Sequence, residues 1–233
     1  MAKKQFFLIV DTETTIEDTV ADFGAIVCDK QGAIFAECAV LVAGEYGTKK
    51  LFHDKNANDI WGYAGLKKRE NNYKNMLENG SRMLVSIPAI NRWLERAKGK
   101  FEPELTAYNL AFDLNKAKNT GIDLNIFENR FCLWHSSAAH FAESKAFRQF
   151  VLDNHLFNAP TKSQNMTYKT NAEVVAAFVQ GGEFLEEPHT AYEDAKFFEL
   201  PILKAIVKRK QWREKSKAYN WRDFQVKDHF RVK

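Results

Sequence analysis

Two carboxylates one residue apart, Asp11 and Glu13, follow directly on the apolar run Phe6–Val10. In an extended strand residues i and i+2 project to the same side, so both acids lie on one face. Acids crowded at the end of an apolar strand repel each other and are poorly solvated unless a cation sits between them. Hard oxygen donors in such a place suit Mg²⁺ or Mn²⁺. A solvated turn after a strand is the plainer alternative for a bare D-x-E. Asn109 and Asp113 come directly after the short run Leu105–Tyr108 and are four residues apart, which puts both on one face of a helix. Helix capping by Asn109 and a surface position for Asp113 are the alternatives there. A third group, His189 to Asp194, follows Pro188 and opens the last helix. Asp194 falls inward beside Ala191 and Ala195, where a carboxylate is costly unless it binds something. His189 sits at or before the helix start, within reach of whatever Asp194 holds. A neutral imidazole there is suited to take a proton from a metal-bound water near pH 7. The other histidines, His53, His135, His140, His155 and His229, read as surface or capping residues.

These side chains need elements to hold them. Phe6–Val10 is rich in β formers and unbroken, the pattern of a strand buried on both faces. Phe23–Asp29 and Ala33–Val42 read as two more strands joined by a turn at Gly32. A two-residue turn there pairs Cys28 with Ala33 or Phe35, which leaves Cys28 and Cys38 out of register for a disulfide. Helical spacing of Ile87, Ile90, Trp93, Leu94 and Ala97 predicts a helix over Val85–Lys98, with Ser86 as cap and Pro88 in its first turn. Leu105–Tyr108 reads as a strand, Asn109–Lys118 as a helix and Phe131–Trp134 as a strand, with helices over 144–156 and 171–180. A last helix carries Ala191, Ala195, Phe198, Ile202, Ala205 and Ile206, and Pro201 should kink or interrupt it. A meander followed by alternating helices and strands predicts an α/β sheet covered by helices.

D-x-E at a strand end, N-x-x-x-D, and H-x-A-x-x-D-A in this order resemble the DEDDh (DnaQ-like) family of 3′–5′ exonucleases, within the ribonuclease-H-like superfamily. The resemblance spans residues 6 to about 206, and Asp11, Glu13, Asp113, Asp194 and His189 fill the family's positions. The tyrosine-bearing sister class needs Tyr four residues before Asp194, where this chain has Thr190. The resemblance implies a ribonuclease-H-like mixed sheet, three antiparallel strands extended by parallel ones, with helices on both faces. It implies a two-metal hydrolysis of phosphodiesters, using two Mg²⁺ or Mn²⁺ ions. Asp11, Glu13 and Asp194 would hold the ion carrying the attacking water. Asp11 would bridge to a second ion, reached by Asp113 directly or through water. His189 would take the proton, while Thr14 and Asn109 would hold the terminal nucleotide. The expected activity shortens single-stranded nucleic acid, DNA favoured, from its 3′ end and releases nucleoside 5′-monophosphates. Alternatives are an exoribonuclease, or a catalytically weak nucleic-acid-binding or polymerase-associated proofreading module. A polymerase or replication protein is the further partner implied.

Composition agrees with a packed enzyme. The chain has 233 residues, 45% hydrophobic and 27% charged, with a net charge of +4. That excludes collagen-like and disordered classes. The longest apolar runs, Cys38–Ala43 and Val174–Val179, hold six residues each, far short of the ~18 of a membrane span. No membrane partner is expected. Three cysteines at no metal-ligand spacing, and an N-terminus unlike a signal peptide, point to the cytoplasm. The predicted exonuclease domain is 1–210. Within it, residues 43–80 form a polar insertion in which Lys49, Lys50, Lys55, Lys67, Lys68, Arg69 and Lys74 alternate with Trp61, Tyr63 and Tyr73. Such a pattern suits single-stranded nucleic acid, a solvated insertion being the alternative. Residues 211–233 form a basic, aromatic-rich extension. The stretch Lys204–Lys233 holds 11 Lys and Arg against 3 Asp and Glu, while residues 1–203 hold 23 against 27. The tail reads as a substrate guide, a partner dock or a packed helix with a basic outer face.

Overall fold

A computed structural model describes residues 4–158, 166–215 and 217–226. β1 (Phe6–Thr14) is the spine of the fold, with Phe7, Leu8, Ile9 and Val10 fully buried. The strand runs through Asp11 and Glu13, so both acids are on the strand itself. β1 pairs antiparallel with β2 (Val20–Asp29), which pairs antiparallel with β3 (Ile34–Val42).

The hairpin turn differs from the expected register. Cys28 pairs with Ile34 across an irregularity at Val27/Cys28, and Cys38 pairs with Ala25. The cause is Asp29, whose carboxylate accepts the Gln31 and Ala33 N–H groups and draws a longer turn around Gly32, with φ 82°. Cys28, Cys38 and Cys132 are all free thiols.

The 43–80 segment is more ordered than its polar composition suggests. α1 (Tyr63–Glu78) packs Leu66 and Tyr73 with Leu51 of the segment against Leu41 and Ala21 of the sheet. β4 (Met83–Val85) then adds parallel to β3. α2 (Ile87–Phe101) follows with Ser86 at the N-cap position. β5 (Glu104–Ala107) lies parallel to β1, α3 (Leu110–Thr120) follows it, and β6 (Arg130–Cys132) lies parallel to β5. The sheet order is β4-β3-β2-β1-β5-β6. Leu133 and Trp134, expected in the strand with Phe131, open α4 (Leu133–Ser137) instead. α5 (Lys145–Asp153), the small pair β7 (Phe157–Asn158) and β8 (Thr167–Tyr168), and α6 (Ala172–Val179) complete that part.

The last helical stretch is broken in three. α7 (Ala191–Asp194) passes into five π-wound residues, Ala195–Glu199, and then α8 (Leu200–Val207). Pro201 lacks an N–H and its ring crowds the carbonyl four residues earlier, so the turn before it widens.

Alternation along β1 divides two cores. Phe7 and Ile9 pack with α4–α6 and α8, while Leu8 and Val10 pack with α2 and α3. Helices therefore cover both faces of the mixed sheet. The C-terminal segment joins the first core. α9 (Trp212–Lys215) and the residues after it bury Trp212, Tyr219 and Phe224, with Trp212 at 4.8 Å from the Phe131 ring. Two histidines expected at the surface pin this segment. His140, 6% exposed, bonds the Trp212 carbonyl through Nε2 at 3.0 Å, and His135 Nδ1 accepts the Tyr219 N–H at 3.0 Å. The packed helix is thus only a short one, followed by irregular chain and a single 3₁₀ turn, Trp221–Phe224. His229 lies outside the described residues. Among the described residues no helix is long and apolar enough to cross a membrane.

Trp212→Ala should therefore destabilise the whole domain by about 3–5 kcal/mol, the range for truncating a buried aromatic. Urea unfolding checks this; a loss under ~1 kcal/mol would mean the segment is not part of the core.

Candidate active site

The acids of β1 stand on the face that carries α7. Strand alternation puts Asp11 and Glu13 beneath that helix and turns Thr12 to the opposite side. Thr12 Oγ donates to Asp113 Oδ1 at 2.8 Å, so the first turn of α3 is hooked to the strand end from the other face. Asp113 is 3% exposed, which settles its position as interior. Asn109 holds the N-cap position of α3 but makes no side-chain capping bond. Its amide instead lines the cleft.

α7 can lie on the sheet because residue 24 is glycine. A Cβ there would stand 2.4 Å from the Ala191 carbonyl carbon and the Tyr192 nitrogen. Asp22, two residues along β2, is fully buried and accepts the Ala191 N–H at 2.9 Å. Arg82 Nε donates to its other oxygen at 3.3 Å, and the same guanidinium pairs with Glu193. Thr190 Oγ donates to Glu193 at 2.6 Å. With the helix start fixed, His189 takes a left-handed backbone, φ 53°, just before Thr190. That conformation is uncommon for a residue with a Cβ and marks strain held at a site.

Together these elements form a cleft of about 370 Å³ lined by Asp11, Glu13, Thr14, Asn109, His189 and Asp194. Asp113 lies just beneath it through Thr12. Ligand atoms of Glu13, His189 and Asp194 lie within 4.8 Å of one another. Of the residues expected from the three motifs, Asp11, Glu13, Thr14, Asn109, His189 and Asp194 thus line one cleft, while Asp113 stays outside its lining, bonded to Thr12. Tyr192 is not in that lining; its hydroxyl is bonded to Glu37 and to Lys196 Nζ away from the cleft.

The electrostatics are those of an uncompensated anionic cluster. Burial, then Glu199 and the neighbouring acids, push the Asp11 carboxyl well above its ordinary value. Burial likewise raises Glu13, with Arg69 opposing. Burial lifts Asp113 to about 7 against the Thr12 bond. Asp194 rises to about 10 through burial and then Glu187 and Glu13. One oxygen of Asp194 is buried with no hydrogen-bond partner. A buried carboxylate oxygen left unpaired is expensive, and hard oxygens around it are the donor set a divalent cation takes. Among the described residues Glu13, His189 and Asp194 are close enough together to share such an ion, with Asp11 lining the same cleft. Burial, followed by the Arg69 charge, lowers His189 to about 4, so its imidazole is neutral at pH 7.

Sequence reasoning did not find four residues of this site. Glu187 lines the cleft and is raised to about 7, chiefly by burial. Glu199 is 2% exposed; one oxygen accepts the Tyr108 N–H at 3.0 Å and the other has no partner. Phe52 and Phe112, each 41% exposed, wall the cleft together with Trp61. The basic pattern of residues 43–80 is largely spoken for. Lys49, Lys67, Lys68 and Lys74 pair with acids, and Arg69 and Tyr73 are buried. Compared with protein-family models, curated proteins and solved structures, the chain finds no match in any of the three.

The raised carboxyls have a consequence for the metal-free fold. Each binds its proton more tightly folded than unfolded, so stability is lost as pH climbs from about 4 through about 7 for Asp113 and Glu187 and about 10 for Asp194. His189 acts oppositely, adding stability as pH rises from about 4 to its ordinary 6.5. In chelator the melting temperature should therefore fall between pH 6.5 and 9. Excess Mn²⁺ should remove most of that fall, and Asp194→Asn should flatten it. A melting temperature that rises over this interval would contradict the cluster.

Proposed function

We propose that this chain is a metal-dependent 3′–5′ exonuclease of the DEDDh type, hydrolysing single-stranded nucleic acid, DNA favoured, to nucleoside 5′-monophosphates. The observation that carries the reading is the convergence of Asp11, Glu13, Asn109, Asp194 and His189, from three separate stretches of chain, on one cleft, with Asp113 bonded to Thr12 of the same strand end. The sheet order also supports a ribonuclease-H-like fold, since three antiparallel strands are extended by β5 and β6 running parallel to β1.

Asp11, Glu13 and Asp194 would hold one divalent ion, and Asp11 with Asp113 a second. Such ions, when bound, activate water and neutralise charge on the leaving oxygen. His189, neutral at pH 7, accepts the proton of the attacking water on an imidazole nitrogen. Thr14 and Asn109 line the floor where the terminal nucleotide would rest. The aromatic walls Phe52, Trp61 and Phe112 offer faces for stacking bases. A base reaches such faces only when it is free of a pairing partner, which favours a single strand. With the 3′ oxygen of the penultimate nucleotide as leaving group, the phosphate stays on the 5′ oxygen of the released unit, giving a nucleoside 5′-monophosphate.

On 5′-labelled single-stranded DNA with Mg²⁺ or Mn²⁺, products should shorten stepwise from the 3′ end, and chelator should stop them. Asp11→Ala and Asp194→Ala should abolish this while the circular dichroism spectrum is retained. His189→Ala should slow it by about 10²–10⁴, the usual span for a general base. Internal cuts, or full activity in either aspartate variant, would refute the assignment.

A further inference from the structure

His189 is held from outside its own motif. The Trp61 ring, from the 43–80 segment, lies 4.6 Å from the His189 ring, centroid to centroid, with planes inclined at 54°. Trp61 is itself fixed. Phe52 meets it edge-on at 5.9 Å, the Arg69 guanidinium stands 4.9 Å from its ring, and its carbonyl accepts the Asp54 N–H at 2.8 Å. Arg69 is 1% exposed and also donates to the Phe52 carbonyl. It makes no ion pair among the described residues, and its guanidinium rests against the indole face. The same segment grips the chain around His189 at two more points. The Tyr73 hydroxyl donates to the His189 carbonyl at 3.5 Å, and Lys68 pairs with Glu186 at 2.9 Å.

A histidine that must meet a water over a metal site needs one orientation of its ring. The backbone alone does not supply it, because His189 sits in a left-handed conformation at the end of an irregular stretch. We propose that Trp61, braced by Arg69 and Phe52, is the positioning residue for His189. The insertion thereby completes the catalytic site instead of merely decorating it. This rests on the exonuclease reading for its kinetic part, and on the ring contact alone for its geometric part. Trp61 touches both the imidazole and the cleft, so the segment that recognises a bound strand is the one that sets the base.

Two measurements test it. In kinetics, Trp61→Ala should lower kcat by about 10- to 100-fold, the cost of misplacing a catalytic group. Trp61→Phe should recover most of the loss. In the His189→Ala background the same Trp61→Ala change should cost less than threefold, because the group it positions is gone. In proton NMR, the His189 imidazole protons should be displaced by the ring current of the Trp61 indole 4.6 Å away, and Trp61→Ala should remove that displacement; unchanged shifts would contradict the contact. Equal kcat losses in the two backgrounds, or an unchanged kcat in Trp61→Ala, would overturn the proposal while leaving the exonuclease standing. Were the wild-type chain inactive on every nucleic acid tried, the functional reading would fail, and the ring-current shift would still decide the contact.

Discussion

Asp22 has no solvent exposure, and both of its oxygens are engaged, one by the Ala191 N–H and the other by Arg82 Nε. Burial raises its carboxyl, while the Arg82 charge and the bonds from Ala191 and Tyr73 pull it back. Arg82, 2% exposed, carries on to Glu193, which also receives the Thr190 hydroxyl. This chain of bonds ties a helix start to the middle of a strand. α7 has only four residues and could not persist alone. Its direction is imposed by Asp22 below it and by the missing side chain at Gly24, and everything on it inherits that direction. Removing one partner of a buried ion pair costs about 3–5 kcal/mol, so the network is costly to break and therefore specific. His189 and Asp194, on either side of Ala191, are placed by it.

What the network holds in place is locally unfavourable. Asp11, Glu13, Asp113 and Asp194 are crowded where burial and mutual repulsion oppose their charges. Glu187 and Glu199 make the crowd worse, both raised by burial and by neighbouring acids. The apolar mass on both sides of β1 is what can afford it, since Phe7 to Val10 are wholly buried within two separate cores. The frustration is therefore confined to one sheet end, where local rules are broken and the surrounding packing overrides them.

How much of this was legible beforehand depended on periodicity. Asp11 and Glu13 followed from the period of two in a strand, and Asp194 from its place between Ala191 and Ala195 on a helix. Asp113 was ambiguous because a helical position beside exposed Phe112 looks like surface; the deciding contact, from Thr12, crosses 101 residues of sequence. Glu199 was hidden by the winding. In an α-helix a residue five positions on is turned away by about 140°, which would have pointed Glu199 away from Asp194. The π-wound segment closes on the fifth residue and brings it back toward Asp11 and the β5 end. Pro201 was the visible sign of that irregularity, though not of its direction. Glu187 and Phe52 lie in stretches without any period, where placement comes from tertiary contacts alone. The same holds for His140 and His135, since the chain that covers them comes 72 and 84 residues later.

The charge of the chain takes on meaning through these placements. Residues 1–203 carry more acids than bases, although the whole is +4. Six of those acids, Asp11, Glu13, Asp113, Glu187, Asp194 and Glu199, surround a single cleft or lie directly beneath it. Without a cation, burial and mutual repulsion favour the protonated form of these acids. Under the proposed function, a divalent ion displacing those protons would both relieve the buried carboxyls and supply the positive charge that a phosphate needs. Arg69 adds a fixed positive charge that does not depend on metal, and it lies against Trp61 on the insertion side of His189. The His189 side of the cleft is therefore the side backed by a fixed cation, and under the proposed function a phosphate would be repelled least there.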